Sequence, residues 1–324
     1  MRAVAIVNGQ ARRAAGLRDR LERVLPGQVR LTASLDAARA VIAAEVRRGI
    51  DLVVFAGGDG TVVMGLTLLA EACRGHARPE PAVGVLRLGT GNAIADTAGA
   101  SDDPVADLAR LVRGHGTWRT QPMLEVLGLR APFVGFGVDA QLLEDHRAVG
   151  AVIDRVPVAR RLVGGAARYA LSVALRSVPR FAAGQRPRAV VTNLGAPAIE
   201  MAQAGPTGDR HAAGSVLWRG SCTLIAGATI PYFGFGLKMF AFGGARPDRF
   251  QLRCGDAGLI EILRKTPAAF RGEYFSRHVR DFLCDRIAIE LDRDAPVEAG
   301  GELLGHRRRL ELSLAPPVTL ATLG

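Results

Sequence analysis

The strongest constraint on the fold is an alternation in the first quarter of the chain. Apolar runs at AVAIVN (3–8), VRLT (29–32), DLVVFA (51–56) and AVGVLRL (82–88) are separated by RRAAGLRDRLERVL, SLDAARAVIAAEVRR and TVVMGLTLLAEACR, which carry a helical period. Short apolar runs with no polar face read as strands buried on both sides. Their alternation with helices predicts a mainly parallel sheet covered on both faces. Ser34, directly ahead of LDAARAVIAAEVRR, is the expected cap of the second helix.

Near Trp118 the pattern changes. MLEVLGL, FVGFGV, RAVVTNL, AIEMAQ, SCTLIAG, RFQLRC, LIEIL, IAIEL and RLELSL follow one another between glycines and prolines. Such runs predict a largely antiparallel β domain. Helical segments are expected at 159–177 and 267–283, and an exposed loop at 204–214. The stretch CTLIAGATIPYFGFGL (222–237) has no charge, yet it contains Pro231 and is shorter than the roughly 20 residues a membrane span needs. It reads as strand, turn and strand inside a sheet core. A chain of 324 residues exceeds what one core usually holds, so two domains are expected. These are an α/β domain over 1–120 and a β domain over 121–308.

Charge and cysteines exclude several functions. The net charge of +11 and pI near 10.7 suggest an anionic partner, and arginine supplies all but Lys238 and Lys265 of the 42 basic residues. With 5% aromatic residues, no basic stretch is interleaved with stacking side chains, so a nucleic-acid partner is not expected. Cys73, Cys222, Cys254 and Cys284 are widely spaced, which argues against a zinc site or a disulfide framework. The N-terminus MRAVAIVNGQARRAAG reads as a first strand rather than a secretory signal and predicts a cytoplasmic protein.

The chemistry is concentrated where two apolar strands end. FAGGDGT (55–61) gives a strand that runs into Gly57, Gly58, Asp59, Gly60 and Thr61, and the next strand runs into LGTGNAIA (88–95). Residues without Cβ atoms let backbone N–H groups approach a ligand, and a helix starting near Thr61 turns its positive end to the same place. Ligands bind at this edge in open α/β sheets. The two loops together predict a phosphate cradle, with Asp59 as a base or a group facing a metal ion.

GGDGT at 57–61 followed by LGTGNAIA at 88–95 resembles the catalytic domain of the diacylglycerol kinase family, which includes sphingosine kinases and bacterial soluble lipid kinases. IVNGQARRAAG with Asn8, Thr32 ahead of SLDAARAVIAAE, and FVGFGVDAQL are further points of likeness. The resemblance implies an α/β nucleotide domain, as in NAD kinases and diacylglycerol kinases, followed by a C-terminal β-sandwich, with the last strand, 309–324, returning to complete the first domain. It implies transfer of the ATP γ-phosphoryl group, with Mg2+, to a lipid alcohol in the cleft between them. By the same resemblance the nucleotide site comprises Asn8, Arg12, Thr32, Gly57, Gly58, Gly60, Thr61, Gly89, Thr90, Gly91 and Asn92. Asp59 and Glu302 are implied as catalytic and metal-facing groups, and Asp139 as a contact to the acceptor. A homodimer is compatible with the resemblance.

The sequence also departs from the family. Val63 and Met64 stand where it usually has Asn-Glu, and PVEAGGELLG gives Gly300, Gly301 and Glu302 where it usually has Asp-Gly-Glu. Ala257, Gly258 and Leu259 replace a further Asp-Gly-Leu. NAD kinases and phosphofructokinases share a GGDG loop but would not be expected to continue into GTGN and a β-rich second half. The missing carboxylates keep open a catalytically degenerate nucleotide- or lipid-binding module. Arg161, Arg168 and Arg176 share one face of the expected helix at 159–177, which would place that face on an anionic membrane surface as a peripheral contact.

Overall fold

The computed structural model describes residues 1–11, 14, 16–89, 91–154 and 186–323. Strands β1 (Ala3–Asn8), β2 (Val29–Thr32), β3 (Leu52–Gly57) and β4 (Ala82–Arg87) pair in parallel in the order β2-β1-β3-β4. Successive side chains leave opposite faces of a strand. Val4, Ile6, Val53 and Phe55 accordingly pack with Ile42 and Val46 of α2 (Leu35–Arg47) and with Val62 and Leu66 of α3 (Asp59–Gly75). Ala5, Val7, Leu52 and Val54 pack with Leu21 of α1 (Arg18–Val24) and with Leu108 and Leu111 of α5 (Pro104–Val112). Both faces are thus covered.

Local signals set the helix starts. Ser34 Oγ accepts the Ala37 N–H at 3.1 Å, as the sequence predicts. Asp103 Oδ1 accepts from Val105 N at 3.0 Å and Ala106 N at 3.3 Å, with Pro104 in the first helical position. Helices α4 (Ala93–Thr97) and α5 are additional to the elements expected from the sequence.

The rest of the chain is rich in antiparallel strands. β7 (Phe133–Gly137), β12 (Leu224–Ala228), β13 (Phe250–Gly255), β14 (Val279–Cys284), β9 (Ala198–Ala202) and β10 (Gly205–His211) follow one another as neighbours. β15 (Arg286–Ala299) joins β7 to β8 (Arg188–Asn193) and to β16 (Glu302–Thr322), while β11 (Val216–Ser221) pairs with β8. β16 then pairs with β5 (Thr117–Val126), which also holds β6 (Leu129–Ala131), and Leu320 lies parallel to Val83 of β4. The last strand therefore enters the sheet that begins the chain.

Three local expectations are corrected. Residues 204–214, expected as a loop, contain β10, which pairs antiparallel with β9. It is an edge strand with polar side chains, so no apolar alternation marked it. Residues 222–237 hold one strand rather than two. After β12 the chain turns irregular, and positive φ angles at Gly234 (124°), Phe235 (53°) and Gly236 (75°) interrupt any second ladder. LIEIL, read as a strand, opens helix α7 (Leu259–Arg271), and the helix expected over 267–283 gives way to β14. Apolar residues at 260, 263 and 270 have helical spacing, and they lie exposed on α7.

Burial also selects one ion pair. Arg253 Nε and Nη2 donate to Asp281 at 2.7 and 2.8 Å, Gln251 Nε2 donates to the same carboxylate at 2.6 Å, and all three residues are buried. A bidentate pair with a third donor satisfies a charge that burial would otherwise make costly. The four cysteines are buried thiols. Among the described residues no helix is long and apolar enough to cross a membrane.

Candidate active site

Strands β1, β3 and β4 deliver their last residues to one edge of the parallel sheet, and three side chains there organise the backbone. Asn8 Nδ2 donates to Thr61 Oγ1 at 3.0 Å, and Asn8 Oδ1 accepts the Gln10 N–H at 3.0 Å, which turns the chain after β1. Thr32 Oγ1 donates to the Val7 carbonyl at 3.3 Å at the end of β2. Asn92 sits at φ 56° and closes the second loop on itself. Its Oδ1 accepts the Gly89 N–H at 3.0 Å, and its Nδ2 donates to the Gly89 carbonyl at 2.7 Å.

The two loops lie backbone against backbone. A side-chain carbon on Gly89 would fall 2.3 Å from the Gly58 Cα, so this approach admits only glycine. Asp59 fastens the loops together from the side. Its Oδ2 accepts the Ala93 N–H at 3.0 Å and its Oδ1 the Ile94 N–H at 2.9 Å, so the carboxylate of the first loop caps the helix that follows the second.

Burial raises the Asp59 carboxyl from 3.8 to about 6, against the lowering effect of the two N–H donors. The sign of the consequence is fixed. The folded state holds this proton more tightly than the unfolded chain, so the contribution to stability is complete below about pH 4 and is lost as pH rises through about 6. The loss amounts to roughly 3 kcal/mol. Chemical denaturation between pH 4 and 7 should therefore show a smaller decline for Asp59→Asn than for the wild type. Parallel profiles would contradict the assignment.

Two cavities meet at this edge. One, of about 210 Å³, is lined by Asn8, Thr32, Ser34, Thr61 and Glu302 with Phe55 at its base. The other, of about 490 Å³, is lined by Asp59, Gly91 and Glu298 together with Phe133, Phe233 and Phe270. Gly60 lines both. The first N–H groups of α3 have no carbonyl partner within their own helix, which makes this junction suited to an anion.

The turn between β15 and β16 completes the junction. Glu302 stands so close that a side-chain carbon on Gly60 would fall 2.0 Å from its Oε1. Glu298, buried at the end of β15, accepts the Gly301 N–H through Oε2 at 2.8 Å. Gly300 adopts φ 53°, and a side-chain carbon there would fall 2.3 Å from Val63 Cγ2. Val63 thus fills the space beside Gly300, where the resemblance implied an aspartate.

Most of the residues expected from the sequence gather here. Asn8, Thr32, Gly60, Thr61 and Glu302 line the smaller cavity; Gly58, Asp59, Gly60 and Gly91 line the larger; Gly57, Gly89 and Asn92 shape the loops. Arg12, Thr90 and the segment with Arg161, Arg168 and Arg176 lie outside the described residues. Residue 139 falls in the first turn of α6 (Val138–Asp154), and the Asp139 side chain is likewise outside them. Glu298 and the phenylalanine wall were missed. A lone acid between the apolar Val297 and Ala299 was the available signal for Glu298.

Carboxylate, amide and hydroxyl oxygens surround Gly60, and these are the hard donors that magnesium takes. Among the described residues no three His, Cys, Asp or Glu side chains converge on one point. An ion held by one or two carboxylates together with substrate phosphate is the usual arrangement for magnesium. The donor set therefore fits the ion.

Comparison with known proteins bears on this geometry. No curated protein matches the chain. A diacylglycerol kinase structure from Bacillus anthracis str. Sterne is similar at 14% identity and a TM-score of 0.65, covering 99% of this chain and 97% of that one. Two further structures from the same organism, described as candidate diacylglycerol kinases, are similar at 15% and 16% identity with TM-scores of 0.66 and 0.67, again covering 99% and 97%. At these identities the shared property is the fold. Residues 2–119, which carry both glycine loops, match the family model of the diacylglycerol kinase catalytic domain.

Proposed function

We propose that this protein is an ATP-dependent lipid kinase that transfers the γ-phosphoryl group to a hydroxyl of a lipid such as a diacylglycerol, a sphingoid base or a ceramide. The observation that carries the reading is the shared Gly60: a polar cavity and a larger aromatic-walled one meet at a residue with no side chain. The nucleotide occupies the smaller cavity and the acceptor the larger. Binding of the lipid in the second cavity holds its hydroxyl in line with the phosphoryl group.

Each residue then has a task. The α3 N-terminus and the loops around Gly58 and Gly91 receive phosphate oxygens, and Asp59 keeps the loops in register. Asp59 and Glu302 would hold magnesium, which when bound neutralises charge across the phosphates. Glu298 accepts the proton of the acceptor hydroxyl. As the acceptor oxygen bonds to the γ-phosphorus, the bond from that phosphorus to the bridging oxygen breaks and ADP departs.

ATP with magnesium at 100 times its dissociation constant should stabilise the protein by about 2.7 kcal/mol. Gly60→Val should abolish that gain, because the branched side chain displaces Glu302 and fills the junction. Thermal denaturation with and without ATP measures both, and an equal shift in the variant would sink the placement of the nucleotide. A second reading, a catalytically degenerate binding module, draws on Val63 occupying the space beside Gly300. It would be favoured by an ATP-induced shift with no phosphorylated product across a broad panel of lipid alcohols.

A further inference from the structure

Helix α7 presents a face that a surface helix does not ordinarily show to water. Residues 260, 263, 264, 267, 270 and 271 recur at helical spacing and are all exposed. Three of them are large and apolar: Ile260 is 73% exposed, Leu263 60% and Phe270 48%. Arg264 and Arg271 stand on the same face, with Arg271 paired to Glu273 at 2.7 Å. The opposite face is engaged with the protein. Ala269 is buried, and Ile262, Thr266 and Ala269 line a cavity of about 190 Å³.

That inner cavity shares Phe233, Leu237 and Thr266 with the 490 Å³ cavity of the candidate active site. Phe270 belongs both to the exposed face and to the wall of the larger cavity. Phe235, 45% exposed, is likewise a wall residue, and its N–H bonds the Gly91 carbonyl of the second glycine loop at 2.8 Å. Lys238 extends the basic rim on the loop that meets α7, where its N–H donates to the Ala269 carbonyl at 3.0 Å. An exposed apolar surface is therefore continuous with the apolar wall leading to the phosphate loops.

We propose that the outer face of α7, together with Phe235, seats the protein on an anionic lipid bilayer, with the larger cavity opening toward the acyl layer. Apolar side chains beside arginine and lysine match the boundary between acyl chains and anionic headgroups. An acceptor lipid can then slide into the cavity without crossing water. This inference rests on the lipid-kinase reading only for the identity of the cargo; the docking itself needs no catalysis.

The test is sedimentation with sucrose-loaded vesicles, of phosphatidylcholine alone or with 30% phosphatidylglycerol. Ile260→Ser/Leu263→Ser replaces two exposed residues that line neither cavity. It should reduce partition onto the mixed vesicles at least tenfold, while thermal stability and the ATP-induced shift stay unchanged. Arg264→Gln should weaken the preference for mixed over neutral vesicles and leave the weak neutral binding as it is. Equal partition of wild type and the double variant would overturn the proposal. So would a dimer by light scattering that the double variant turns into a monomer, because the face would then belong to a second copy of this chain. Loss of vesicle binding in the double variant, in a protein that phosphorylates no lipid, would uphold the docking face and remove the kinase reading alone.

Discussion

Glu298→Gln is expected to lower turnover by about 10² to 10⁴, the usual worth of a general base, with ATP binding essentially unchanged. The replacement is nearly isosteric. The amide oxygen can still accept the Gly301 N–H that the carboxylate accepts at 2.8 Å, so the turn that carries Glu302 keeps its shape. What disappears is the ability to take a proton at the wall of the larger cavity. Asp59→Asn should behave differently. Both Asp59 oxygens accept backbone N–H groups, and an amide nitrogen would face one of those donors, so nucleotide affinity should fall along with turnover. Single-turnover kinetics with titrated ATP separate the two patterns. Retention of more than half the turnover by Glu298→Gln would move the base to another residue, with Asp59 as the first alternative.

Placing a carboxylate at the β15–β16 turn by Gly300→Asp should fail, at a cost of about 3 to 5 kcal/mol, the range for a charge left buried without compensation. The position is buried and left-handed, and the new carbon would strike Val63. The two positions are complementary: the Val63 side chain on α3 occupies the space, and a glycine across from it leaves that space open. Chemical denaturation measures the loss directly. A variant as stable as the wild type and more active would show instead that the space beside Val63 admits a carboxylate that the site can use.

The fold class was legible because burial on both faces leaves an unmistakable mark on a parallel strand. β1, β3 and β4 are continuous apolar runs, and each loop of the cradle begins where such a run stops. The meeting of the two loops was legible because close backbone approach tolerates only glycine, as between Gly58 and Gly89. Edge and surface elements were not. β10 has two wet faces and so no alternation, and α7 reverses the usual code by exposing its apolar residues. Glu298 was obscured for a different reason. Resemblance directed attention to Gly300, whereas the turn of β15 into β16 brings an acid from two residues earlier to the cavity wall.

The last strand has a mechanical consequence. β16 runs 21 residues, about 70 Å if fully extended, from Glu302 at the junction of the cavities to Thr322, passing Leu320 beside β4. Along the way it is laddered first to β15 and then to β5. Rotating the strand-rich half against the parallel sheet would load those ladders in shear and drag the Gly-Gly turn away from Asp59. The molecule is therefore stiff along this line. Under the proposed function, entry and exit of a lipid would fall to parts outside the ladder, chiefly α7 and the irregular segment at 229–249, so a ligand that pins those parts should slow exchange without touching either glycine loop.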